Sequence, residues 1–106
     1  MDNEELKKIF SEITEYLSLE SDKDRIFSFL RDLLSQKEII EFSKRFEVSK
    51  MLLEKKSYIE IENKTKMSST TIARVSKYLN WENMWYLNAI KKLKSVSEKH
   101  HEGHQS

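Results

Sequence analysis

Across 106 residues the chain holds no proline, and its one glycine, Gly103, lies close to the C-terminal end. A sheet protein turns its hairpins on Gly, Asn-Gly or Pro, because those residues supply the unusual or fixed φ that tight turns need. With those residues missing and Lys, Glu, Leu and Ile abundant, the chain is restricted to helices. The expectation is an all-α fold. A length of 106 residues sets one domain, and 38% hydrophobic content is a modest supply for its core. A small domain buries a small fraction of its surface, so self-association is one route to stability.

Apolar residues at three- and four-residue spacing mark out six helices. Residues 2–19 carry Leu6, Ile9, Phe10, Ile13 and Leu17 on one face. A second helix, with Ser21 as its N-cap, carries Ile26, Phe27, Phe29, Leu30, Leu33 and Leu34 around much of its circumference. Such a helix needs cover from more than one side. Ser35 with Glu38 fits a capping box, in which each side chain satisfies a free N–H at the helix start. It opens a long helix to about residue 56, with Ile39, Phe42, Phe46, Met51, Leu52 and Leu53 on its apolar side. Ser57 with Glu60 repeats the box ahead of a short helix over 58–65, and Ser68 caps another over 68–79. A last helix over 82–98 carries Trp85, Leu87, Ile90, Leu93 and Val96. The tail, "KHHEGHQS" over 99–106, has no apolar residue and is expected to be disordered, leaving 1–98 as the domain.

Several classes of function fall away. Without cysteine there is no disulfide or thiolate chemistry. No apolar run reaches the ~18 residues of a membrane span, and "MDNEELKK" is no secretory signal, so the location expected is cytoplasmic. Nothing resembles a nucleophile held beside a base, a glycine-rich phosphate loop or a set of metal ligands, so no catalysis and no cofactor is expected. His100, His101 and His104 sit in the tail without a preorganised geometry, and no metal is assigned to them. The aromatic residues Trp81, Trp85 and Tyr86 read as packing for the last helix.

Charge is unevenly spread. Residues 1–34 hold five Lys/Arg against nine Asp/Glu, whereas residues 57–79 hold four against two. Within the basic region, "KTKMSSTTIARVSKYLNW" (64–81) has no acid at all. Two short helices with a three-residue join, over about 58–79, have the dimensions of a helix-turn-helix. Ile61, Ile72 and Val75 would form the wedge between them. Ser68 caps the second helix, which then presents Ser69, Thr70, Ala73, Arg74 and Lys77 outward; these, with Ser68 and Thr71, are the candidate DNA-binding residues. A helix that enters a groove lined with phosphates must shed its carboxylates, while hydroxyls and cations at its N-terminal end reach bases and backbone.

The stretch "LSQKEIIEFSKRFEVSKMLLEKKSYIEIENKTKMSSTTIARVSKYLNW" (34–81) resembles the Trp repressor-like family, and within it the YerC/YecD-type branch. The shared pattern is a capped L-[ST]-x-x-E start, R-x-x-[VI] in a long helix, a Y-x-E-I opening, and an S-x-x-T-I-x-R-V helix ending in L-N. The resemblance implies six helices in an intertwined homodimer whose helix-turn-helix units project as two reading heads on double-stranded DNA. It implies transcriptional regulation by operator binding.

Three positions depart from the family pattern. Lys66 stands where the turn usually has Gly, Glu62 where a small residue usually lies, and Ile59 where relatives often carry Arg. The effector pocket departs further. In the Trp repressor itself an indole amino acid lies between two arginines, which match Arg45 and Arg74, against a Gly and a Ser that read here as Val75 and Tyr78. Two large side chains are expected to fill the indole slot, which disfavours L-tryptophan as effector. The rival to a DNA-binding regulator is a protein-interaction module of the same fold that has lost DNA binding, motivated by Ile59, Glu62 and the weak net charge of +1.

Overall fold

The computed structural model describes the backbone of residues 1–79 and 85–105, with side chains for 1–79 and 87–97. The regular elements among the described residues are all helices, with no strand: α1 (Asn3–Ile9), α2 (Ser11–Leu19), α3 (Lys23–Leu33), α4 (Gln36–Leu53), α5 (Tyr58–Thr65), α6 (Ser69–Tyr78) and α7 (Trp85–Gln105). They group into two compact units, Met1–Ile39 and Ile40–Ser106. No helix among the described residues is long and apolar enough to cross a membrane.

The first unit contains α1 to α3. The single helix expected over 2–19 is divided at Phe10, whose φ of −91° and ψ of 2° leave the helical region. Hydroxyls beside the break explain it. Ser11 Oγ donates to Lys8 O at 2.8 Å and Thr14 Oγ1 to Ser11 O at 2.9 Å. Hydroxyls that bond back to a preceding carbonyl compete with the helical ladder and bend it. The N-cap of α3 is Asp22 rather than Ser21: its carboxylate accepts from Asp24 N at 2.9 Å and Arg25 N at 3.3 Å. An ionised acceptor makes the stronger cap. The Tyr16 and Phe29 rings meet at 4.4 Å between centroids, joining α2 to α3. Yet none of the three helices has a buried residue.

Both halves of the Ser35–Glu38 capping box form: Ser35 N donates to Glu38 Oε1 at 2.9 Å, and Glu38 N to Ser35 Oγ at 3.1 Å. These bonds, first that from the Ser35 backbone, hold the Glu38 carboxyl below its usual range. In the second unit Ser57 Oγ accepts from Glu60 N at 3.2 Å, which starts α5.

The core of the second unit is Val48 and Met51 of α4, Ile61 of α5 and Ile72 of α6, with Leu52, Met67 and Val75 packed against it. Val48 extends the apolar side expected for α4; beside it Ser49 is buried too, its hydroxyl satisfied by Arg45 O at 2.9 Å. Two connections use a left-handed lysine. After α4, Lys55 (φ 62°) lets Lys55 N bond to Leu52 O and Lys56 N to Met51 O, the paired closure of a Schellman motif. After α5, Lys66 (φ 62°, ψ 18°) donates its N–H to Glu62 O. Each left-handed non-Gly residue costs about 1 kcal/mol.

The last helix is described only in part. Its expected start at residue 82 and the side chains of Trp81, Trp85 and Tyr86 lie outside the described residues. At the other end α7 continues through Gln105, over most of the tail expected to be disordered. Lys, His, Glu and Gln are all compatible with helix, no proline intervenes, and Gly103 alone costs about 1 kcal/mol.

Candidate nucleic-acid interface

α5 and α6 are joined by three residues, 66–68. Thr65 makes the corner rigid from inside. It is buried, its hydroxyl donates to Ile61 O at 2.7 Å and accepts from Met67 N at 3.3 Å. Ile61 and Ile72 are each 0% exposed, so the faces of α5 and α6 that carry them turn inward. Val75, half-buried, completes the wedge.

With Ile72 inward, the opposite face of α6 is fixed. Ser69, Thr70, Ala73, Arg74 and Lys77 are exposed, as is Ser68 ahead of the helix. Ser68 and Thr71 are occupied with each other: Ser68 Oγ accepts from Thr71 N at 3.2 Å and lies 3.0 Å from Thr71 Oγ1. Thr71 is half-buried. Cap chemistry therefore accounts for these two hydroxyls, and those of Ser69 and Thr70 have no hydrogen-bond partner among the described residues. Neither Arg74 nor Lys77 takes part in an ion pair among the described residues. Unneutralised cations and spare hydroxyls on one helix face match what binding to phosphates and base edges requires.

Lys64, at the end of α5, is differently placed. Its ammonium lies 3.2 Å from Glu47 Oε1, while Lys50 Nζ lies 2.8 Å from Glu47 Oε2. The Lys50 hydrogen bond holds the Glu47 carboxyl below its usual range, partial burial works against it, and Lys64 adds to the lowering. No helical spacing signals this tie between α4 and α5, because the two residues are far apart in the chain.

Arg45, Arg74, Val75 and Tyr78 do share a cavity. A cleft of about 450 Å³ between α4 and α6 is lined by these four with Phe42, Phe46, Ser49, Thr71 and Leu79. Phe42, Arg45, Phe46 and Ser49 follow the i, i+3, i+4, i+7 spacing of a single helix stripe, a signal contained in the sequence but masked there by the apolar side of α4. Val75 and Tyr78 both stand on the cleft wall, but Tyr78 is 78% exposed, so most of it lies outside the slot and the cleft is not filled by it. Val75 does remain bulk at the cleft wall, because the core packs against it. Neither arginine is tied to a carboxylate among the described residues.

Comparison with known proteins bears on what this arrangement is for. The family described as Trp repressor protein matches residues 4–94. The uncharacterized protein YerC of Bacillus subtilis (strain 168) is 37% identical over 92 residues, which cover 87% of this chain and 85% of that protein. Among solved structures, a TrpR like protein from Eubacterium eligens ATCC 27750 superposes with a TM-score of 0.76 at 34% identity, over 87% of this chain and 96% of the other.

Proposed function

The chain belongs to the Trp repressor family, and on that premise we propose that it is a homodimeric transcriptional regulator that reads the major groove of double-stranded DNA with α6, in a helix-turn-helix formed by α5 and α6. The observation that carries this reading is the outward face of α6. Ser69, Thr70, Ala73, Arg74 and Lys77 are exposed together, with no acid in the helix and no ion pair on its cations among the described residues. A solvated helix of this chain would be expected to mix both signs, as α4 and α5 do.

The dimer is supported by what the single chain leaves uncovered. Leu6, Ile9, Phe10, Leu19, Phe27 and Leu33 are exposed on α1 to α3, helices without a buried residue. Apolar surface on that scale on a soluble chain marks an interaction face. A second copy also supplies the second reading head that a helix-turn-helix protein uses on two half-sites.

L-tryptophan is left out of the proposal. Val75 alone now stands against it, because the core fixes its position. The rival, a protein-interaction module without DNA binding, draws on Ile59, 70% exposed at the start of α5 where a phosphate contact would be useful. A titration of labelled genomic fragments at several salt concentrations separates the two. Binding driven by phosphates weakens steeply as salt rises. No binding even at low salt would favour the rival.

A further inference from the structure

The connection between α5 and α6 carries two lysines, and the structure treats them differently. Lys64 is held on α4 by Glu47 at 3.2 Å. Lys66 is exposed, has no ion pair among the described residues, and sits in the left-handed region at φ 62°. Glycine occupies that region without a steric penalty, and it would keep the N–H bond to Glu62 O that closes α5. Nothing within the described chain therefore uses the Lys66 side chain, although the backbone is strained to accommodate it. The strain by itself assigns no role, because Lys55 has the same φ; what separates Lys66 from it is its place in the chain.

Its position says which role. Lys66 precedes the α6 N-cap, Ser68, by two residues, so its long side chain leaves the backbone within reach of the N-terminal end of α6. That end carries the Ser69 and Thr70 hydroxyls, which have no partner among the described residues, and the partial positive charge of the helix terminus. On α5 itself the surface offers no competing cation: Tyr58 and Ile59 are exposed and apolar, Glu60 is exposed and acidic, and Lys64 is engaged. We propose that Lys66 is a phosphate anchor, its strained turn setting an unpaired ammonium next to the N-terminal end of the reading helix, where it meets a DNA backbone phosphate. This rests on the DNA-binding reading above and adds a residue to it that contributes affinity without sequence preference.

Lys55 supplies a control inside the same chain. It has the same φ of 62° and is also exposed, but it lies before α5, at the far end of that helix from α6. Lys66→Gly and Lys55→Gly relieve the same backbone strain, and both should raise the thermal midpoint. Fluorescence anisotropy with a labelled duplex of mixed sequence, read across a salt series, then distinguishes them. Lys66→Gly should make the plot of log affinity against log salt shallower by about 0.9 for each reading head engaged. Lys66→Asn, which tolerates the left-handed region without the charge, should do the same, while Lys66→Arg and Lys55→Gly should keep the wild-type slope. A wild-type slope and affinity in both Lys66→Gly and Lys66→Asn, with the unaltered protein binding normally, would overturn the anchor and leave DNA binding standing. Failure of the unaltered protein to bind at low salt would remove both.

Discussion

Glu47 of α4 holds two lysines at once, Lys50 at 2.8 Å and Lys64 at 3.2 Å, and the second ties α4 to the end of α5. Because these partners depress its folded pKa, the bridge stabilises the fold fully above the unfolded glutamate value of about 4.3. That contribution disappears as pH falls through the depressed folded value. Lys64 is mostly exposed, so the pair as a whole is worth no more than ~0.2–1 kcal/mol. Urea midpoints for Glu47→Gln should lie slightly below wild type at neutral pH, and the gap should close on acidification. A gap that widened in acid would contradict the bridge.

The two faces of α6 should respond to substitution in opposite ways. Ile72 is completely buried, so Ile72→Ala should cost about 2–5 kcal/mol of stability, through the packing removed and the cavity left behind. Thr70→Ala and Arg74→Ala alter exposed side chains and should leave the denaturation midpoint nearly unchanged. Both should weaken specific DNA binding, by about 1–3 kcal/mol for each base left without its side-chain partner. If Arg74→Ala lowered stability as much as Ile72→Ala, Arg74 would be a structural partner.

Assembly is tested by concentration. Helices α1 to α3 have no fully buried residue, and a dimer that covers them links folding to association. The unfolding midpoint should then rise with protein concentration. Light scattering that gave a stable 12.7 kDa particle at micromolar concentration would rule the dimer out.

Much of this is legible in the sequence, and the rest is hidden for physical reasons. Serine N-caps at 57 and 68 and the Ile61–Ile72 wedge follow from local chemistry that spacing reveals, whereas the left-handed turn at Lys66 is legible only through the glycine that the family pattern has there. The break at Phe10 is not legible, because it depends on the Ser11 and Thr14 hydroxyls turning back to carbonyls, a choice that helical periodicity does not report. The Glu47–Lys64 pair is hidden because it joins separate helices. The cleft is legible only in part. Resemblance brings Arg45, Arg74, Val75 and Tyr78 together, but whether Tyr78 fills the space depends on where its ring points.

Tryptophan gating is expected to be absent. Val75 packs against the core of Val48, Met51, Ile61 and Ile72, so moving it away from the cleft wall would disturb that packing. Forcing extra bulk against a packed position costs about 1–3 kcal/mol, which offsets much of what a small ligand gains. DNA affinity should be the same with and without millimolar L-tryptophan, and calorimetry should show no heat of binding. A tryptophan-dependent rise in affinity would mean that the open space beside Tyr78 accepts the indole.

If α6 reads DNA sequence twice per dimer, selection of bound duplexes from a random pool should reveal it. The expected outcome is enrichment of a two-fold symmetric site whose half-sites lie about one helical turn, or a multiple of it, apart. Arg74→Ala, with its fold intact, should fail to enrich that site. Recovery of no motif at low salt, or of the same motif at undiminished strength with Arg74→Ala and Thr70→Ala combined, would contradict a reading role for α6.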